Sequence, residues 1–274
     1  MASKSSKKKS KSLAANQPTP QGLNLTRAGM PALDSVVAVF PLAPAGAATG
    51  VTGTKYRIIR TTEVDGYEPI ATSQGDIAVS LAAAVPPTGD KFQGTDRKAA
   101  KLSIAKKKAE SFADLRPLIN SLTEESQMVH HVPKITRDST MNRVDEEKRN
   151  VSVRAFLYAA SREADNDFHL IVGRDPKKTP EMYMTMELSG LPPSSSESFK
   201  KLKSARDSYK TFFADNLPGL SYDFYDPPIP IDVAGSLFFD VTHSTGQRPG
   251  PKSLKSRMPV IWEVHPITTI TFEP

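Results

Sequence analysis

Two short segments pair a carboxylate with a histidine at i and i+2: Asp167 and His169 in "NDFHLIVG", and Glu263 and His265 in "IWEVHPITTITF". A third acid, Glu187, sits in "EMYMTMELSG", and Asp240 precedes His243 by three residues in "GSLFFDVTH". Carboxylates beside imidazoles suit three kinds of chemistry. An acid can fix a histidine tautomer for general acid–base work. The set can ligate a divalent metal. Or the groups can bond across strands and lock a sheet. No nucleophile elbow, phosphate-cradling glycine loop or H-E-x-x-H helix accompanies them, and "GVTGTK" is too short for a P-loop.

Such residues act together only if the chain brings them to one face. Side chains alternate along a strand, so i and i+2 point the same way. Asp167 and His169 then oppose Phe168 and Leu170, and Glu263 and His265 oppose Trp262 and Val264. Tyr183, Thr185 and Glu187 oppose the methionines of their own segment. The acid-x-His pairs are thus the polar faces of strands whose other faces are apolar, and the expectation is one outer, solvent-facing patch.

The elements follow from periodicity. "VSVRAFLYAASRE", "NDFHLIVG", "EMYMTMELSG", "PIDVAGSLFFDVTH" and "VIWEVHPITTITF" read as strands, with a helix at "SESFKKLKSARDSYKTFF" between the third and fourth. Three strands, a helix and two strands is the order of a five-stranded OB-like barrel, so the fold class expected is mainly β (α+β), with an open α+β sheet as the alternative. The domain spans 150–274. Before it, "SVVAVFPLAP" and "TKYRIIRTTEV" read as strands, "DIAVSLAAAV" is ambiguous, and 96–110 ("DRKAAKLSIAKKKAE") reads as a basic, solvated helix within an N-terminal region 31–135. Residues 1–30 read as a disordered Lys/Ser-rich tail.

In the OB order the third strand lies between the second and fifth. Neighbouring strands are about 4.8 Å apart, placing His169 and His265 roughly 10 Å apart. That is too far for one ion with ligand bonds of about 2.0–2.2 Å. A cross-strand network of Asp167, His169, Glu187 and His265 fits the spacing better. No cofactor is called for, and a divalent metal stays open.

The chain has 274 residues, no cysteine and a net charge of +6, of which Lys4, Lys7, Lys8, Lys9 and Lys11 supply five. No disulfide framework or thiolate metal site is available. No apolar run is long enough to span a membrane, and the opening residues lack the apolar stretch of a signal peptide, so a cytoplasmic location is expected. The anion-contacting candidates are Lys7, Lys8 and Lys9 of the tail, with Arg248, Lys252, Lys255 and Arg257 of the loop before the last strand.

In combination, "DFHLIV", "MTMEL", "GSLFFDVTH" and "WEVHP" resemble the pattern of an uncharacterised bacterial protein family, over roughly Asn150 to Phe272. The resemblance singles out Asp167, His169, Glu187, Asp240, His243, Glu263 and His265 and implies no activity. The function expected from the residues is a non-enzymatic module binding nucleic acid or another polyanion through tail and loop. The alternatives are a metal-assisted hydrolase, a phosphodiesterase or nuclease, with His169 or His265 as base and Glu187 or Glu263 as partner, and a structural or assembly protein.

Overall fold

The computed structural model describes residues 35–39, 56–64, 87–246 and 248–273. The tail and "DIAVSLAAAV" lie outside them. The elements are β1 (Ser35–Val39), β2 (Tyr56–Arg60), α1 (Lys98–Lys101), β3 (Ala109–Phe112), α2 (Leu115–Asn120), α3 (Glu125–Val129), β4 (Asn150–Arg162), β5 (Phe168–Gly173), β6 (Tyr183–Leu188), α4 (Phe199–Phe213), β7 (Asp223–Phe239), α5 (Lys252–Lys255) and β8 (Trp262–Phe272).

The fold is mainly β, a mixed sheet in the order β1-β2-β7-β8-β6-β5-β4-β3. A further antiparallel pairing of β7 with β4 closes β4, β5, β6, β8 and β7 into a ring. The seams of this ring are unequal. β5 pairs with β6 along its whole length, from Phe168↔Leu188 to Gly173↔Tyr183. The parallel seam of β6 with β8 rests on Thr185↔Glu263 and Met186↔Val264 alone.

Strand alternation fills the ring. Phe168, Leu170 and Val172 of β5 and Met184, Met186 and Leu188 of β6 point inward to one apolar cluster with Val153, Leu157, Ile231, Val233 and Val264. α4 adds Tyr209, Phe212 and Phe213, which recur at helical spacing on its buried face. Phe212 stacks on Phe272 of β8 at 4.0 Å. Fully burying a residue of this kind is worth roughly 1.5–3 kcal/mol.

Three elements differ from the sequence expectation. The basic helix expected over 96–110 is the single turn α1, after which the chain extends and β3 pairs parallel with β4. β7 begins at Asp223, well before "PIDVAG". The prolines of "FYDPPIP" masked that half, because proline lacks the N–H a ladder needs. The chain accommodates them where the β4–β7 register jumps, between Leu157↔Ile229 and Ala159↔Phe224. The segment "SFADLRPLINSL" reads as a helix broken near Pro117, but its start is β3 and Pro117 lies in the first turn of α2, where a proline is tolerated.

Asp223 opens β7 in a buried position beside Arg60, whose Nε is 3.6 Å away. Burial outweighs Arg60 and raises the Asp223 carboxyl from its ordinary 3.8 to about 7. The folded state therefore holds this proton more tightly than the unfolded chain does, so the contribution to stability is complete below pH 3.8 and disappears as pH rises to about 7. In D223N, urea unfolding between pH 4 and 8 is expected to show a flatter fall in stability. The variant should gain roughly 3–4 kcal/mol on wild type by pH 8. Parallel curves would remove Asp223 as the cause.

Candidate functional site

The turn between β4 and β5 concentrates the first acids. Glu163 N donates to Asp167 O at 2.8 Å and Asn166 N to Glu163 O at 3.0 Å, folding Glu163 to Asp167 tightly. Asn166 takes a positive φ of 77°, a conformation asparagine adopts more readily than most residues. Its buried side chain ties the turn to the rest of the molecule: Oδ1 accepts from Arg162 and Arg206, and Nδ2 donates to Lys91 O. Glu163, Asp165 and Asp167 thus project together. Asp167 is the last turn residue, one position before β5.

Cross-strand register supplies the rest. His169 pairs with Glu187, and Thr185 with Glu263, which puts the polar faces of β5, β6 and β8 side by side. The patch is not solvent-facing as expected. Asp167 and His265 are fully buried, and His169, Glu187 and Glu263 nearly so. The reason is a cover that strand periodicity cannot reveal, made by residues 90–101 and 139–147. Phe92 N donates to Leu191 O, Leu191 N to Asp90 O and Gln93 N to Asp165 O. Gly190 permits this approach, since a Cβ there would lie 2.6 Å from Phe92 Cα. The Gly190 N–H also donates to Asp167 Oδ1 at 2.6 Å.

At the centre, Glu187 meets both histidines with different oxygens. Oε2 lies 2.7 Å from His265 Nδ1, and Oε1 lies 3.8 Å from His169 Nδ1. Asp167 Oδ2 stands 3.3 Å from His265 Nε2, and Glu263 Oε2 stands 3.4 Å from His265 Nδ1. Despite these approaches, Asp167 Oδ2, Glu187 Oε2 and both ring nitrogens of His265 make no hydrogen bond among the described residues. One ligand atom from each of Asp167, Glu187 and His265 falls within 4.8 Å of the others, and so do atoms of Glu163, His169 and Glu187. His169 Nδ1 bonds Glu163 Oε1. His243 Nδ1 bonds Asp240 Oδ2, while Asp240 Oδ1 accepts from Thr242 N at 2.8 Å.

Lys101 is the cation the sequence did not single out. Its Nζ lies 3.1 Å from Asp165 Oδ2, 3.8 Å from Asp167 Oδ2 and 3.9 Å from Glu187 Oε2. Burial works against its charge, yet Asp165, Glu187, Asp167 and Glu163 hold its pKa well above the ordinary lysine value. Burial and neighbouring carboxylates push Asp167 and Glu263 well up. Glu187 goes the other way: burial raises it, but His265 and Lys101 outweigh that and hold it well below the usual range. Burial lowers His265. Asp240 stays below its ordinary value because the His243 hydrogen bond offsets its burial. The cluster carries more negative charge than its cations balance.

A cavity of about 380 Å³ opens onto this cluster, lined by Glu163, Asp165, His169, Glu187, Glu263 and Lys101 and also by Asp240 and His243. No family model matches the chain, and neither does any curated protein or any solved structure. The site therefore has to be read from its own chemistry.

All seven residues of the expected patch reach this site: Asp167, His169, Glu187, Glu263 and His265 in one cluster, and the Asp240–His243 pair in the lining of the cavity. The loop cations do not line it. Arg248 pairs with Glu125 Oε1 at 2.6 Å and Arg257 with Glu181, while the Lys252 N–H donates to Glu63. Leu254 and Met258 of this loop pack with Ile171 and Tyr183 in a second apolar cluster. Tyr183 is therefore buried. Lys7, Lys8 and Lys9 lie outside the described residues.

Removing the Lys101 ammonium leaves buried carboxylates without compensation. K101M is expected to lose roughly 3 kcal/mol in urea unfolding at pH 8. The deficit should shrink toward pH 5, where protons replace the missing charge. A deficit independent of pH would mean that Lys101 contributes packing and not charge.

Proposed function

We propose that the chain is a metal-dependent hydrolase of the phosphodiesterase class. The observation that carries this reading is the convergence of buried atoms that make no hydrogen bond: Asp167 Oδ2, Glu187 Oε2 and the His265 ring. These atoms approach one another as ion pairs without a well-aligned hydrogen bond, and a buried polar group held so poorly costs about 1–3 kcal/mol, more when charged. A divalent cation would satisfy both carboxylate oxygens and one His265 nitrogen at once, and two carboxylates with one imidazole are donors that zinc or manganese accepts.

Asp167, Glu187 and His265 would hold the metal, which would polarise a phosphoryl oxygen and lower the pKa of a bound water. His243 is the general base. Asp240 accepts from its Nδ1, so Nε2 becomes the basic nitrogen. Lys101, at the cavity wall, balances part of the carboxylate charge around the metal position. Arg248 and Arg257 already have acidic partners, which is why this reading is preferred to a polyanion-binding module.

The ring order β4-β5-β6-β8-β7, with α4 between β6 and β7, supports an OB-like fold for the C-terminal half. The resemblance to the bacterial family marks the same residues. No helix among the described residues is long and apolar enough to cross a membrane.

Hydrolysis of bis(p-nitrophenyl) phosphate with Mn²⁺ or Zn²⁺ tests the proposal. Wild-type turnover is expected to stop with EDTA. D167N should lose both metal and turnover, whereas H243A should keep its metal and lose on the order of 100-fold in kcat. Turnover indifferent to chelator, or protein that takes up no metal, overturns it.

A further inference from the structure

We infer that the centre holds two divalent cations, bridged by Glu187. This rests on the metal reading above and extends it. Glu187 is the one residue common to both sets of converging ligand atoms, Asp167 with His265 and Glu163 with His169. Its two oxygens are already divided between the histidines, Oε2 toward His265 and Oε1 toward His169. A carboxylate used this way holds two ions about 3.5–4 Å apart, the separation of two-metal hydrolases.

The arrangement also removes the distance problem posed by a single ion. His169 and His265 lie on β5 and β8 with β6 between them. One ion need not reach both, because each histidine has its own ion and the central strand supplies the bridge. The donor set points the same way: Asp165, Asp167 and Glu187 converge on one ammonium, Lys101, and more carboxylate oxygens gather here than a single ion would use.

The two positions differ in access. Glu163, His169 and Glu187 line the cavity, whereas Asp167 and His265 lie behind it. The inner ion is enclosed by protein and organises the site. The outer ion faces the cavity and carries water or a phosphoryl oxygen. To bind, it takes the place of the contact between His169 Nδ1 and Glu163 Oε1.

Equilibrium dialysis of the full chain against Mn²⁺, with metal content measured by elemental analysis and coupling by electron paramagnetic resonance, tests this. Wild type is expected to hold two ions per chain with an exchange-coupled spectrum. H169N should hold one, uncoupled, and H265N should lose the coupled spectrum, with near-UV circular dichroism verifying the fold of each. One ion per wild-type chain, unchanged in H169N, overturns the second position and leaves the single-metal hydrolase standing. No bound ion overturns both. Two uncoupled ions overturn the Glu187 bridge. The wild-type result stands even if neither variant folds.

Discussion

The buried ion pair between Arg97 and Glu147 is the constraint on which the site depends. The two side chains are 1 % and 0 % exposed and meet through both carboxylate oxygens, at 2.6 and 2.8 Å. The same oxygens accept from Phe239 N and Val144 N, and the guanidinium also donates to Phe239 O and Asn142 O. An ion pair withdrawn from water offsets its desolvation only when most of its remaining hydrogen-bonding capacity is met, and here Arg97 Nε alone of the pair's polar atoms has no partner among the described residues. Its contribution is position more than net stability. It joins the start of α1 and the segment before β4 to the end of β7. Lys101 N donates to Arg97 O one turn further on, so the pair also sets where the Lys101 ammonium lies. Arg143 adds a second tie, donating to Ala100 O and to His265 O, so α1 is fixed over the polar face of β5, β6 and β8.

Two kinds of scaffold therefore build the site. The strands give rigid, regularly spaced groups, His169, Glu187, Glu263 and His265. The β4–β5 turn and the cover give groups at irregular positions, Glu163, Asp165, Asp167 and Lys101. Side chains borne on strands are held by the core packing of their neighbours, since Met186 and Leu188 lie inside the ring on either side of Glu187. The turn is held by Asn166, and through it by Arg206 of α4, whose guanidinium also bonds Asp90 and the carbonyls of Leu188 and Ser189. The apolar helix and the polar centre are thus mechanically continuous.

Much of this was legible in the sequence, for a definite reason. Period-two alternation separated Phe168, Leu170 and Val172 from His169, and Met184, Met186 and Leu188 from Glu187, and the register of β5, β6 and β8 then assembled the patch. The parts that escaped lack a period. Glu163 and Asp165 sit in a turn, where acids are ordinarily solvated. Lys101 belongs to a run whose lysines read as the exposed face of a helix, and only tertiary contact turned this one inward. A polar strand face reads as solvent-facing because most are. Burial of this one depends on Gly190 and on an ion pair between residues fifty positions apart.

The narrow seam between β6 and β8 gives the centre a second meaning. Only Thr185↔Glu263 and Met186↔Val264 join these strands, yet Glu187 stands on one bank and His265 on the other. A cation clasped by both would rivet the ring at its weakest join, substituting coordination bonds for missing backbone ones. Occupancy and closure then become a single linked equilibrium, and the emptied protein would begin to unzip along that line before anywhere else in the ring.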